Sequence, residues 1–108
     1  MEITAWNNGS HNSSGAGYGF KLSLEDRNLY FDKEWPSIYL KLLGVSNPIE
    51  INISKDSFWG NTCIELISKE IGMWLRSRGF APWPKGNPPK FEMVNKGHNL
   101  FEIIRVIA

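Results

Sequence analysis

Cysteine is scarce in this chain. Cys63 stands alone, which excludes an internal disulfide and fits a reducing compartment. Histidine is nearly as rare: His11 and His98 sit in separate loops, and with one thiol between them no zinc-ligand spacing forms. No metal and no cofactor are expected. Charge of one sign is missing too. Twelve Lys and Arg against eleven Asp and Glu leave +1, so no whole-molecule field gathers nucleic acid or an anionic membrane. Any anion binding must be local. Apolar runs fall short of the ~20 residues that span a bilayer, and Met1-Glu-Ile-Thr-Ala-Trp6 has neither the basic stretch nor the apolar segment of an export signal. A soluble, unprocessed protein with no membrane partner is expected. Asn8-Gly-Ser10, Asn12-Ser-Ser14 and Asn52-Ile-Ser54 fit the glycosylation sequon, but ten asparagines make chance matches common.

Catalytic templates are absent as well. There is no nucleophile elbow, no Walker loop and no deaminase signature. Gly15-Ala-Gly17-Tyr-Gly19 is a G-x-G-x-G run, yet it precedes a strand instead of opening a helix, so the dinucleotide fingerprint does not apply.

Aromatics are what the chain has in surplus: five Trp, six Phe and three Tyr in 108 residues. At this length the chain forms a single domain, residues 1–108, with one core. Two or three tryptophans belong in that core, and the rest mark a ligand site or a subunit interface.

Periodicity predicts the elements. Glu2–Trp6 reads as a strand and Asn7–Gly17 as a loop of residues that tolerate positive φ. Tyr18, Phe20 and Leu22 alternate as a second strand, paired with the first across that loop. Ser23, with Asp26 three residues on, starts a short helix that stops before Trp35-Pro36. Ile38, Leu40 and Leu42, then Ile49, Ile51 and Ile53, alternate as two strands joined by a hairpin loop at Gly44. Ser54–Gly60 reads as a short turn or a single helical turn. From Asn61 or Thr62, with Glu65 completing a capping box, one long amphipathic helix runs to Gly79 on the stripe Ile64, Ile67, Ile71, Trp74 and Leu75. Cys63 flanks that stripe, and Arg76 points to water. Two more strands follow, and the last, Leu100–Ile107, is apolar on both faces. That suits a central strand or a face covered by a second copy.

The predicted fold is therefore α+β: an antiparallel sheet of five to six strands curled against one long helix, in the order β-β-(short α)-β-β-α-β-β. The Gly44 hairpin loop and the segment Phe80–Pro89 should share one end, with the turn at Lys96-Gly97 at the other.

Ala81-Pro-Trp-Pro-Lys-Gly-Asn-Pro-Pro-Lys90 is the leading functional segment. Prolines on both sides of Trp83 fix the backbone and remove amide donors, which presents the indole on a preorganised rail beside Lys85 and Lys90. Its Trp-Pro bond is a possible cis peptide. An aromatic plane next to a cation suits a base, a sugar ring or a proline-rich peptide. The first expectation is a non-catalytic binding module for an aromatic or anionic ligand (a small molecule, nucleotide or peptide). Trp83 stacks, Lys85 and Arg27 neutralise charge, amides near Gly15 and Gly17 hold an oxyanion, and His11, Tyr18 and Lys90 complete the lining. The second is a homo-oligomeric interaction module built on the surplus aromatics and the last strand. The third is a small hydrolase or transferase using His11 as base beside Ser10, Ser13 and Ser14.

Trp6-Asn-Asn-Gly-Ser10, Gly15-x-Gly-Tyr-Gly19, Phe58-Trp59, Glu70-Ile-x-x-Trp-Leu75 and Ala81-Pro-Trp-Pro-Lys-Gly-x-Pro-Pro89 give the chain a pattern that resembles small bacterial proteins of unknown function. These include proteins carried on mobile integron gene cassettes. The resemblance implies a bacterial, cytoplasmic accessory protein, and it brings no catalytic residue to these positions.

Overall fold

Seven of the ten elements are strands in the computed structural model, which describes residues 1–108. In chain order they are β1 (Glu2–Asn7), β2 (Tyr18–Lys21), α1 (Leu24–Tyr30), β3 (Ser37–Lys41), β4 (Ile49–Asn52), α2 (Asp56–Trp59), β5 (Glu65–Ile67), α3 (Lys69–Ser77), β6 (Lys90–Gly97) and β7 (Leu100–Val106). The strands form one sheet ordered β4-β3-β7-β6-β1-β2-β5. All neighbours are antiparallel except β3 and β7, which are parallel. The outermost strands, β4 and β5, approach each other, so the sheet is curled into a nearly closed barrel.

This overturns the expected antiparallel sheet of five to six strands on one long helix. The sheet is mixed, it has seven strands, and its three helices are short. The error lies between Asn61 and Ser68. Ile64, Ile67 and Ile71 do recur at helical spacing, but Ile67 is exposed while Ile64 and Leu66 are buried, so the stripe that a helix would bury is broken here. The free edge of β2 takes up this stretch, with Gly19 opposite Ile67 and Lys21 opposite Glu65. Pairing a seventh strand outweighs helix propensity over so few residues. Helix α3 starts later, where the Ser68 hydroxyl accepts from the Glu70 amide at 3.2 Å. Cys63, expected on a helix face, is exposed with φ 56° in the preceding turn.

The other alternations pack as their period requires. Ile3 and Ala5, Tyr18 and Phe20, Ile38 and Leu40, Ile49 and Ile51, Phe91 and Met93, and Phe101 and Ile103 all point inward and form the core with Ile71, Trp74 and Leu75 of α3. Each fully buried large side chain contributes about 1.5–3 kcal/mol of transfer free energy. Ser23 caps α1 by accepting from the Asp26 amide at 3.1 Å. Of the five tryptophans, Trp74 is buried, Trp35, Trp59 and Trp83 pack partly exposed against the core, and Trp6 is half-buried on β1.

Strand directions position the loops. The pairings make β1, β3, β5 and β7 run one way and β2, β4 and β6 the other. Three connections therefore meet at one end of the barrel: the Gly-rich loop after β1, the hairpin loop after β3, and α3 with the proline segment after β5. Helix α3 lies across that end instead of crossing the sheet. Helices α1 and α2 and the β6–β7 turn occupy the opposite end.

Candidate functional site

The shared end brings His11, Tyr18 and Trp83 together. His11 is held by its loop, which closes where the Asn8 amide donates to Gly17 O at 2.9 Å and the Asn12 side chain accepts from the Ser14 amide and hydroxyl. Its Nδ1 is 2.7 Å from the Tyr18 hydroxyl. Trp83 meets both rings edge to face, 4.6 Å from His11 and 5.8 Å from Tyr18 between centroids, a favoured arrangement of aromatic quadrupoles. Arg76, on the last turn of α3, donates to the same Tyr18 oxygen at 3.3 Å. The Tyr18 oxygen thus stands between the His11 ring and a guanidinium that can only donate. Arg76 was expected to face water. An arginine in a last helical turn is already accounted for by the helix dipole, so no local signal marked its partner 58 residues away.

The rail itself is shaped by its turns. Gly79 takes φ 78° after α3, and the Phe80 and Ala81 amides both donate to Leu75 O. The Asn87 amide donates to Pro84 O at 2.9 Å across a turn whose third residue, Gly86, has φ 78°. Pro89 O then accepts from the Ala5 amide, which ties the end of the rail to β1. Between these anchors lies a hollow of about 280 Å³ lined chiefly by Phe80, Pro82, Trp83, Pro84, Pro88 and Val106, with Asn87 at its edge. Ala81–Pro82 is the chain's cis peptide, so the Trp83–Pro84 bond is trans.

The remaining expected residues divide. Lys85 is exposed on the Pro84–Asn87 turn, and Lys90 opens β6 with its ammonium 3.7 Å from Glu2. Gly15 has no free amide to offer an oxyanion. The Gly15 amide already donates to Asn12 O at 3.1 Å, and Gly15 packs backbone to backbone on α3, where a Cβ on Gly72 would stand 2.0 Å from Gly15 O. Gly17 leaves room for the Asn8 side chain. Gly15 seats the loop on the helix, and Gly17 closes the loop on itself. Arg27 is not part of the site either. It is buried at the other end, donating to Phe58 O and Gly60 O, with its guanidinium 5.0 Å from the Trp59 ring centroid. Its Nε donates to the Asn28 side-chain oxygen at 3.0 Å, so the guanidinium meets three neutral oxygens and one indole face.

His11 has a phenol, not a carboxylate, as its hydrogen-bond partner. Ser10 and Ser14 are turned to Asn8 and Asn12. No helix is long and apolar enough to cross a membrane. No protein-family model, curated protein or solved structure matches the chain.

Proposed function

We propose that this protein is a non-catalytic binding module that seats a planar aromatic ring in the hollow of the proline rail, against Trp83. The observation behind this reading is the hollow itself: an indole flanked by prolines whose φ angles are fixed, anchored at both ends by backbone hydrogen bonds. Little conformational entropy remains to be lost there on binding. Asn87 offers donors and acceptors to a ring edge. Lys85 on the adjacent turn can meet an anionic substituent, whereas Lys90 already has Glu2. A nucleobase carrying a phosphate combines these features.

Titration with adenosine monophosphate tests the reading, followed by the indole N–H resonance of Trp83. Saturable binding is expected, and Trp83→Ala should cost about 1–3 kcal/mol of it, the range for one lost stack. Lys85→Ala should weaken binding more at low salt than at high salt. Absence of saturation, or equal affinity in Trp83→Ala, removes the rail as the site.

A second reading, a homo-oligomeric interaction module, is favoured by one patch. Tyr39 and Leu100 are cross-strand partners on β3 and β7, 39% and 37% exposed, and Ile104 further along β7 is 40% exposed. Pairing of two copies over this patch would cover it.

A further inference from the structure

A second concavity lies on the other side of α3, away from the rail. Glu70, Met73, Trp74 and Ser77 fall at spacings of three and four, so they share one helical face. That face looks toward Leu42, Val45 and Ile49 of the hairpin between β3 and β4, and the two sides enclose a groove of about 350 Å³. Its floor is fixed, since Trp74 Nε1 donates to Leu43 O at 3.1 Å and the Val45 amide closes a turn on Leu42 O at 3.0 Å. One lip is adaptable: Met73 is 54% exposed, and its unbranched thioether can fold over a bound chain.

The ends of the groove carry opposite charges. Arg78 follows the last turn of α3, with its guanidinium 6.0 Å from the Trp74 ring centroid and lying against Gly44. Gly44 adopts φ 78°, and a Cβ there would stand 2.7 Å from a guanidinium nitrogen, so this glycine both makes the turn and leaves room for the cation. Three ion pairs exist in the molecule, Lys41–Glu102, Lys90–Glu2 and Arg105–Glu92. Arg78 belongs to none of them. It is an exposed cation at the mouth of a hydrocarbon-lined groove, in no ion pair and with the Trp74 ring beneath its guanidinium.

The geometry points to a binding site for an amphipathic carboxylate, a single-chain acyl anion whose head group pairs with Arg78 and whose tail lies along α3. Apolar lining accounts for the tail, and the planar donor fork of Arg78 suits a carboxylate. Glu70 at the far end sets the direction, because it repels the head group there. From Glu70 to Arg78 the helix rises about 12 Å, close to the extended length of roughly ten carbons. Cavities of ~300–1,000 Å³ are the usual size for small-molecule sites.

Decanoate, kept below its micelle-forming concentration, is the probe, and calorimetry is the measurement. One equivalent should bind, and Arg78→Ala should weaken it at least tenfold. Decanol should bind with an affinity that Arg78→Ala leaves unchanged, and decyltrimethylammonium should bind worse than either. Val45→Glu, a change in a partly exposed turn, should remove decanoate binding while leaving the melting temperature within a few degrees of the parent. Equal decanoate affinity in Arg78→Ala, or no preference among the three head groups, overturns the proposal. So does a dimer by light scattering that Val45→Glu dissociates, because a second copy would then be what covers the groove.

Discussion

Gly72 shows how a single missing methyl group can position a loop. Its backbone meets that of Gly15 so closely that a Cβ would fall 2.0 Å from Gly15 O and 2.6 Å from its carbonyl carbon. Both atoms belong to the main chain, so a side-chain rotation cannot relieve the clash. Gly72→Ala gains roughly 1 kcal/mol in helix propensity, but it must lift the Gly-rich loop off α3 and with it His11. We expect a net destabilisation of about 2 kcal/mol or more in urea unfolding, together with loss of the His11–Trp83 contact. A variant as stable as the parent would show that the loop is held by something other than this crossing.

Among the elements, α3 and β5 separate what could be read in advance from what could not. Ser68→Ala should cost about 1 kcal/mol because it removes the hydroxyl that accepts from the Glu70 amide. Thr62→Ala should be silent, although the sequence pattern offers Thr62 and Glu65 as the capping box. If the two costs came out reversed, the helix would begin where periodicity first suggested. Six strands, the Ser23-capped helix and the turn at α2 were legible because their alternation or capping is local. Strand β5 was not: three residues also satisfy a helical spacing, and the free edge of β2, more than forty residues away in sequence, decides between the two. For the site, the meeting of the Gly-rich loop with the proline segment follows from strand direction and could be anticipated. The Arg76–Tyr18 contact depends on how α3 lies across the barrel end, which no residue in α3 specifies alone.

For the molecule as a whole, the outer face of the sheet carries a pattern of its own. Lys41–Glu102 bridges β3 and β7, Arg105–Glu92 bridges β7 and β6, and Lys90–Glu2 bridges β6 and β1. Pairs this exposed contribute at most about 1 kcal/mol each, yet they place charge among the exposed apolar residues Tyr39, Leu100 and Ile104, with Glu102 between the last two on β7. If copies pair through that patch, Ile104→Lys should halve the mass measured by light scattering and leave the melting temperature nearly unchanged. A mass equal to one chain at every concentration removes the oligomer reading.

The position of β7 has a consequence for how the chain acquires its structure. In sequence β7 is the last strand, but in the sheet it stands between β3 and β6 and supplies the two ladders that join β4-β3 to β6-β1-β2-β5. Until it arrives there are two half-sheets with open edges and no shared interior. Closing them requires contacts between residues as far apart as Tyr39 and Leu100, so loop-closure entropy must be paid before most of the core forms. Folding should therefore be slow for a domain of this size and late to commit, with aggregation most threatening in the interval when the β3 edge is still unpaired.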